Sequence, residues 1–228
     1  MSWLASDAAM IRRLIVKDWQ VYQKQLAGYL AGILLALSLI GTGKAWSFAA
    51  GALLLLVLLV VVGAYTIQTS LMVERKQQTV PFIMSLPVTP MDFYWGKLLA
   101  NLAIYLVPFT VVVGGLAVLI LTTALPDGLL VWSLLIAGFI LASFCVSLCV
   151  AIAVESEGWN VFAQIAVMSL IGPAMYAIGR IESVQANLRT DNIVWGLSAS
   201  GVLVAELAVI MVAICITSGI HSRKTSFL

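Results

Sequence analysis

Few residues of this 228-residue chain have the type and spacing for bond chemistry. One histidine (His221) and three cysteines (Cys145, Cys149, Cys215) are too few for a zinc-type ligand set, and the cysteines all lie inside apolar runs. Cys145 and Cys149 stand one helical turn apart, which reads as small apolar filling rather than a ligand pair. Serine, histidine and acidic residues do not gather at any depth that sequence defines, so nucleophilic or acid–base catalysis has no constellation to work with. The nearest thing to a phosphate-binding loop is Gly41-Thr42-Gly43-Lys44-Ala45. It lacks the earlier glycine, where Ser38 stands, and the magnesium-binding hydroxyl, where Ala45 stands, so it reads as a turn between helices. The one ionisable group in the middle of an apolar run is Glu206, where charge costs about 2.5–3.5 kcal/mol on insertion scales. Two roles are open to it: a protonated, hydrogen-bonded tie between helices, which is the reading favoured on the sequence, or a substrate contact in a wet cavity. Ser198, Val202, Ala213 and Thr217 share a helical face through it and permit close approach of another helix.

The elements that must position these groups are membrane helices. Of the residues, 62% are hydrophobic and 10% charged, with a mean hydropathy of +1.09. A soluble domain carries about 25% charged residues, so a water-soluble globule is excluded. Six apolar runs long enough to span a bilayer cover residues 26–43, 46–72, 98–122, 129–154, 161–179 and 193–220. The expected fold is an all-α membrane protein, one transmembrane domain over residues 1–228. Charged residues before the first run, and no small-residue cleavage site close after it, argue against a secretory leader. Nine Lys and Arg residues (12, 13, 17, 24, 75, 76, 97, 223, 224) fall on one side of the spans and three (44, 180, 189) on the other. The positive-inside rule then predicts cytoplasmic termini and a cytoplasmic 73–97 segment. On the opposite side the connections at Lys44 and at Pro126 to Gly128 are very short. The 180–192 connection is polar and follows Gly172 and Pro173, which suits either a gate or re-entrant element or an ordinary surface loop.

Three segments carry further information. Before the first span, residues 10–25 place Ile11, Leu14, Ile15, Trp19 and Tyr22 on one helical face and Arg13, Lys17, Gln20 and Lys24 on the other. That pattern suits an interfacial helix lying on the inner leaflet, as a plain anchor or as a partner contact. Within the first span, Gly28, Gly32 and Ala36 form a small-residue stripe that serves either subunit dimerisation or packing inside the chain. The 73–97 segment sets Phe82, Ile83, Met84, Leu86 and Val88 among Pro81, Pro87 and Pro90, with Thr89 and Asp92 placed to cap the next helix. An apolar, proline-bracketed element on a basic face is a candidate docking knob, or else folds back on the helix ends. Glu155 and Glu157, between the fourth and fifth spans, suit a smaller contact or a helix-start charge.

Glu74, Thr79, the Ser85-Leu86-Pro87-Val88-Thr89 stretch, Phe93 to Trp95 and Lys97 resemble the permease subunits of type 2 ABC exporters. The resemblance extends over the chain: that family has six helices, an amphipathic elbow helix before the first, cytoplasmic termini and polar re-entrant structure between the fifth and sixth. It implies a bacterial-type inner-membrane subunit that pairs with a second permease copy, identical or related, and with two ATP-binding cassette subunits. ATP and magnesium would be held by those partners, and this chain would hold no cofactor and catalyse nothing itself. Residues 74–92, with Glu74, Thr79, Phe82, Ser85, Leu86, Pro87 and Thr89, would act as the coupling helix in a cleft of the ATPase. The path would run between the two permeases, lined by the first, second and fifth helices, and carry an amphipathic or lipophilic cargo such as a peptide, lipid or drug. Nucleic acid is not an implied partner. The alternatives are a heme-exporter-like permease of cytochrome c maturation, an ion-coupled transporter or channel subunit, and a scaffold without transport.

Overall fold

The computed structural model describes residues 2–73, 90–154 and 156–222, with side chains for all of these except 2–18, 21, 73, 90 and 93. Among the described residues every regular element is a helix. They are α1 (Ser2–Gly41), α2 (Ala45–Ile67) running on into a π-helical turn (Gln68–Val73), α3 (Pro90–Thr122), α4 (Leu129–Ala153), α5 (Glu157–Ser169), α6 (Ile171–Gly179), α7 (Glu182–Asn187) and α8 (Leu197–Ser222). Six spans are long and apolar enough to cross a membrane: Tyr22–Gly41, Ala45–Met72, Tyr94–Thr122, Leu129–Ala153, Glu157–Gly179 and Leu197–Ser222. The chain is thus a multi-pass helical bundle.

Helix α4 is the hub. It is apolar all round, and 72% of its most apolar stretch is buried within the chain, against 17% for the fifth span and 11% for the sixth. Helices apolar on every side bury only where neighbours surround them. One core cluster, built on Ile33, Ala36, Ile40, Leu55, Leu135 and Ile140, fills the end near the turn Thr42–Lys44, here called distal. A second, built on Val62, Ile67, Leu71, Tyr94, Tyr105 and Phe144, fills the opposite, basal end. In a bilayer these contacts are held by close packing, not by expulsion of water, so small residues decide them. At Gly63 an added Cβ would come 3.0 Å from Phe144 and 3.3 Å from Tyr105, whose rings stack with centroids 3.9 Å apart.

Four boundaries differ from the sequence expectation. The interfacial helix expected over 10–25 is not a separate element, because α1 continues through it unbroken into the first span. No proline or glycine interrupts residues 18–27, so nothing breaks the helix there. The third span starts as a helix at Pro90, before the apolar run at 98; proline is tolerated in a first turn that lacks acceptors for its N–H, and Asp92 also lies in that turn. The fifth span starts at Glu157 and breaks between α5 and α6 at Leu170. Pro173 explains the break: it has no N–H for the Ser169 carbonyl and its ring crowds that carbonyl. The sixth span starts at Leu197, with exposed non-helical residues before it at 193–195.

The small-residue stripe of the first span divides between uses. Ala36 is fully buried and its carbonyl faces Gly51 of α2, and Gly32 lies against Leu58, so both pack inside the chain. For Ala36 the packing inside the chain is the use the structure describes. Gly28 alone faces open space.

At the distal end, the 180–192 connection folds into α7 and lies over the bundle. Val184 is buried, and Ile181 and Leu188 pack on the distal core. Gly128 donates its N–H to the Thr190 carbonyl at 3.0 Å, and its missing Cβ leaves the space that the Asn187 carbonyl fills.

Candidate functional site

Two groupings of polar side chains stand out in this apolar bundle. The first lies at the basal end, where residues 73 and 90 flank the segment expected to dock a partner. Glu74, Thr79, Phe82, Ser85, Leu86, Pro87 and Thr89 themselves lie outside the described residues, as do Glu155 and the side chains of Arg13 and Lys17. Trp19 and Lys24, from the same amphipathic stretch, are exposed.

What the structure describes is the base from which that segment departs. Thr66 and Thr69 turn their hydroxyls back onto carbonyls one turn earlier, at 2.9 Å to Val62 and 2.7 Å to Tyr65. Such back-bonding competes with the helix ladder and often bends helices, and here the chain widens into the π-turn Gln68–Val73. Thr69 is also hydrogen-bonded to the Tyr22 hydroxyl of α1. Ser70 accepts a 2.9 Å hydrogen bond from Asn101 Nδ2 of α3, which also donates to the Lys97 carbonyl at 2.8 Å. Tyr94, with no exposed surface, stacks on His221 of α8 with centroids 5.1 Å apart and donates to the Ile214 carbonyl at 3.2 Å. The second span and the start of the third are therefore tied by hydrogen bonds and rings to the first and sixth, and by apolar packing to α4.

Lys97 is 2% exposed and sits two turns inside α3. The sequence reading set it at the mouth of the third span because it took the apolar run, not the helix start at Pro90, as the boundary. Ser70, Asn101 and the Tyr94–His221 stack were not singled out from the sequence. Asn101 was the legible signal: a polar residue inside an apolar run is costly unless partnered.

The second grouping surrounds Glu206, about 14 Å along α8 from Leu197. The residue is 7% exposed, and neither carboxyl oxygen has a hydrogen-bond partner among the described residues. Among the described residues no acceptor or donor completes the hydrogen-bonded tie favoured on the sequence. Glycine at 138 on α4 makes room for the carboxyl, since a Cβ there would overlap it. Glu206 borders two grooves. One, of about 550 Å³, runs between α4, the fifth span and α8; the other, of about 340 Å³, runs between α3, α4 and α8 on the opposite side. Of the residues expected beside Glu206, Val202 and Ala213 pack inward and Thr217 is buried, but Ser198 is exposed and Ala199 takes the buried place.

The first half of the fifth span, α5, is polar inside and apolar outside. The buried residues of α5 are Asn160 and Gln164, while Trp159, Phe162 and Ile165 face outward. Asn160 donates to the Val154 carbonyl at 3.1 Å. Gln164 Nε2 and the Tyr105 hydroxyl are buried without a partner among the described residues, and both residues line a crevice of about 40 Å³. Among the described residues no three His, Cys, Asp or Glu side chains come together. Comparison of the chain with protein-family models, curated proteins and solved structures gave no match.

Proposed function

We propose that this chain is the permease subunit of an ATP-driven exporter of the type 2 ABC kind, working as a pair of six-span bundles levered by ATPase subunits. One observation carries the reading: the chain enters and leaves residues 74–89 through two anchors that are buried and bonded to the rest of the bundle. On the entry side the π-turn is tied to α1 and α3 through Thr69 and Ser70. On the exit side Tyr94 is locked onto α8. A load on a surface loop with loose ends is lost in the loop. A load on these anchors moves the second, third and sixth spans together, which is what coupling a partner's nucleotide cycle to a membrane path requires.

The rest of the reading follows from chemistry. The chain has no complete phosphate-binding loop, so ATP and magnesium would be held by the partner. Nine of twelve Lys and Arg residues on one side of the spans support a cytoplasmic 74–89 segment and cytoplasmic termini, and the exporter reading carries with it a bacterial-type inner membrane. The Arg13, Lys17, Trp19 and Lys24 stretch then meets the inner leaflet or the partner ATPase. Walls that are apolar almost throughout favour a lipophilic or amphipathic cargo.

The test is reconstitution. The chain should co-purify with an ABC ATPase from the same cell and raise its activity, and Phe82→Ala or Pro87→Ala should reduce both effects without lowering the amount of folded permease. A cysteine placed at Thr79 should react with an impermeant maleimide only in inside-out vesicles. Labelling of Thr79→Cys from the outside, or cross-links from the segment to its own chain alone within an assembled complex, would overturn the proposal.

A further inference from the structure

The bundle holds a carboxyl group that the coupling mechanism does not use. Glu206 is more than nine-tenths buried and neither of its oxygens has a partner among the described residues, yet it borders a groove of about 550 Å³. That volume falls in the range of small-molecule sites, which are lined mostly by apolar side chains with a few placed polar groups. The groove fits that description. Phe139, Val167, Ala174, Ile178 and Val202 make apolar walls, and Glu206 is the one acidic residue of the lining, its carboxyl seated against Gly138. The fifth span, which forms one wall, is broken at Leu170 and little buried, so this wall yields more readily than the α4 side.

An unpaired carboxylate at membrane depth costs several kcal/mol, and such groups face a cavity or a partner when they persist. On α4 the residue opposite is Gly138, which supplies space and no compensating charge or donor. A carboxylate kept ionised at this place needs positive charge from outside the described residues, brought by a body apolar enough to fill the groove. We infer that the groove between α4, the fifth span and α8 binds a lipophilic monocation, with Glu206 as its counter-ion. That the cation is cargo rests on the exporter reading; that it binds does not.

The probe is tetraphenylphosphonium, an apolar cation, with tetraphenylborate as an anion of nearly the same shape. The full-length chain is purified into nanodiscs of phosphatidylcholine without an ATPase, and binding of labelled tetraphenylphosphonium is titrated against empty nanodiscs. Labelled tetraphenylborate, titrated separately because the two ions pair, should bind no more than to empty nanodiscs, whereas saturable binding of the phosphonium is expected. Glu206→Gln, which keeps the shape and removes the charge, should weaken it by about ten-fold or more. Ala174→Phe keeps the charge and fills the groove, and should do the same, so a poorly folding Glu206→Gln leaves the question decidable. Elution profile and thermal melting report folding for each variant. Phosphonium binding no higher than in empty discs would overturn the inference, and would be the result if a lipid or a second copy of the chain occupies the groove. Equal binding by the wild type and both variants, or equal saturable binding of the borate in its own titration, would overturn it too. Because no ATPase is present, this outcome is independent of the co-purification test, and either can fail alone.

Discussion

Replacing Gly51 with alanine should push the first two spans apart. A Cβ at that position would lie 2.7 Å from the Ala36 carbonyl oxygen, 2.7 Å from Ile40 Cγ1 and 3.1 Å from the Ile40 nitrogen. Two of these neighbours are backbone atoms of α1, which cannot rotate away. A carbon–oxygen contact relaxes at about 3.3 Å, so the helices must separate locally by roughly 0.6 Å. A gap of that size forfeits about a quarter of the dispersion energy of the surrounding contacts, and overpacking of this kind costs about 1–3 kcal/mol. Alanine's better helix propensity returns about 1 kcal/mol, leaving a net loss of about 0–2 kcal/mol. Gly28 is the matched control: it lies in a span, and its Cβ would meet nothing within 4 Å. Gly28→Ala keeps only the propensity gain, so the two variants should differ by about 2 kcal/mol. Equilibrium unfolding by SDS in mixed micelles, read through tryptophan fluorescence, measures that difference directly. Equal unfolding midpoints would refute the packing described for Ala36. A fall in the dimer fraction with Gly28→Ala, at unchanged monomer stability, would assign the open part of the stripe to subunit packing.

Other outcomes follow from the two ends of the bundle. Tyr94→Phe removes only the bond to the Ile214 carbonyl and should cost about 0.5–1.5 kcal/mol with ATPase stimulation retained. Tyr94→Ala removes a fully buried ring and its stack on His221, and should cost about 3–5 kcal/mol and uncouple the ATPase; coupling that survives it would discredit the anchor. A double-mutant cycle on Ser70→Ala and Asn101→Ala, scored by SDS unfolding, should give a coupling energy of about 0.6–1.7 kcal/mol, the span of values for interhelical bonds in membranes. A value near zero would mean that the two spans are not tied there. Gly128→Ala should dislodge the distal loop, because its Cβ would overlap the Asn187 carbonyl. A cysteine at Ser183 reports this, and should react with maleimide several-fold faster in the Gly128→Ala background.

The sequence by itself determined that this is a bundle of six membrane helices, since runs of apolar residues this long have no other stable home. It also marked Glu206, because an ionisable residue in such a run is conspicuous whatever surrounds it. Helix limits were less legible. Apolar runs report where the lipid begins, whereas helices start and stop where the backbone permits, as at Pro90 and Pro173. What each polar group touches was decided only by tertiary structure. Small residues spaced four apart read the same whether they meet another subunit or another span, and it took the register of α1 against α2 to put Ala36 beside Gly51. The carboxyl of Glu206 read as a tie between helices until its neighbour across the interface proved to be Gly138, which offers space and no partner. A side chain's partner is set by contacts between residues far apart in the chain, and no local pattern of residue types encodes them.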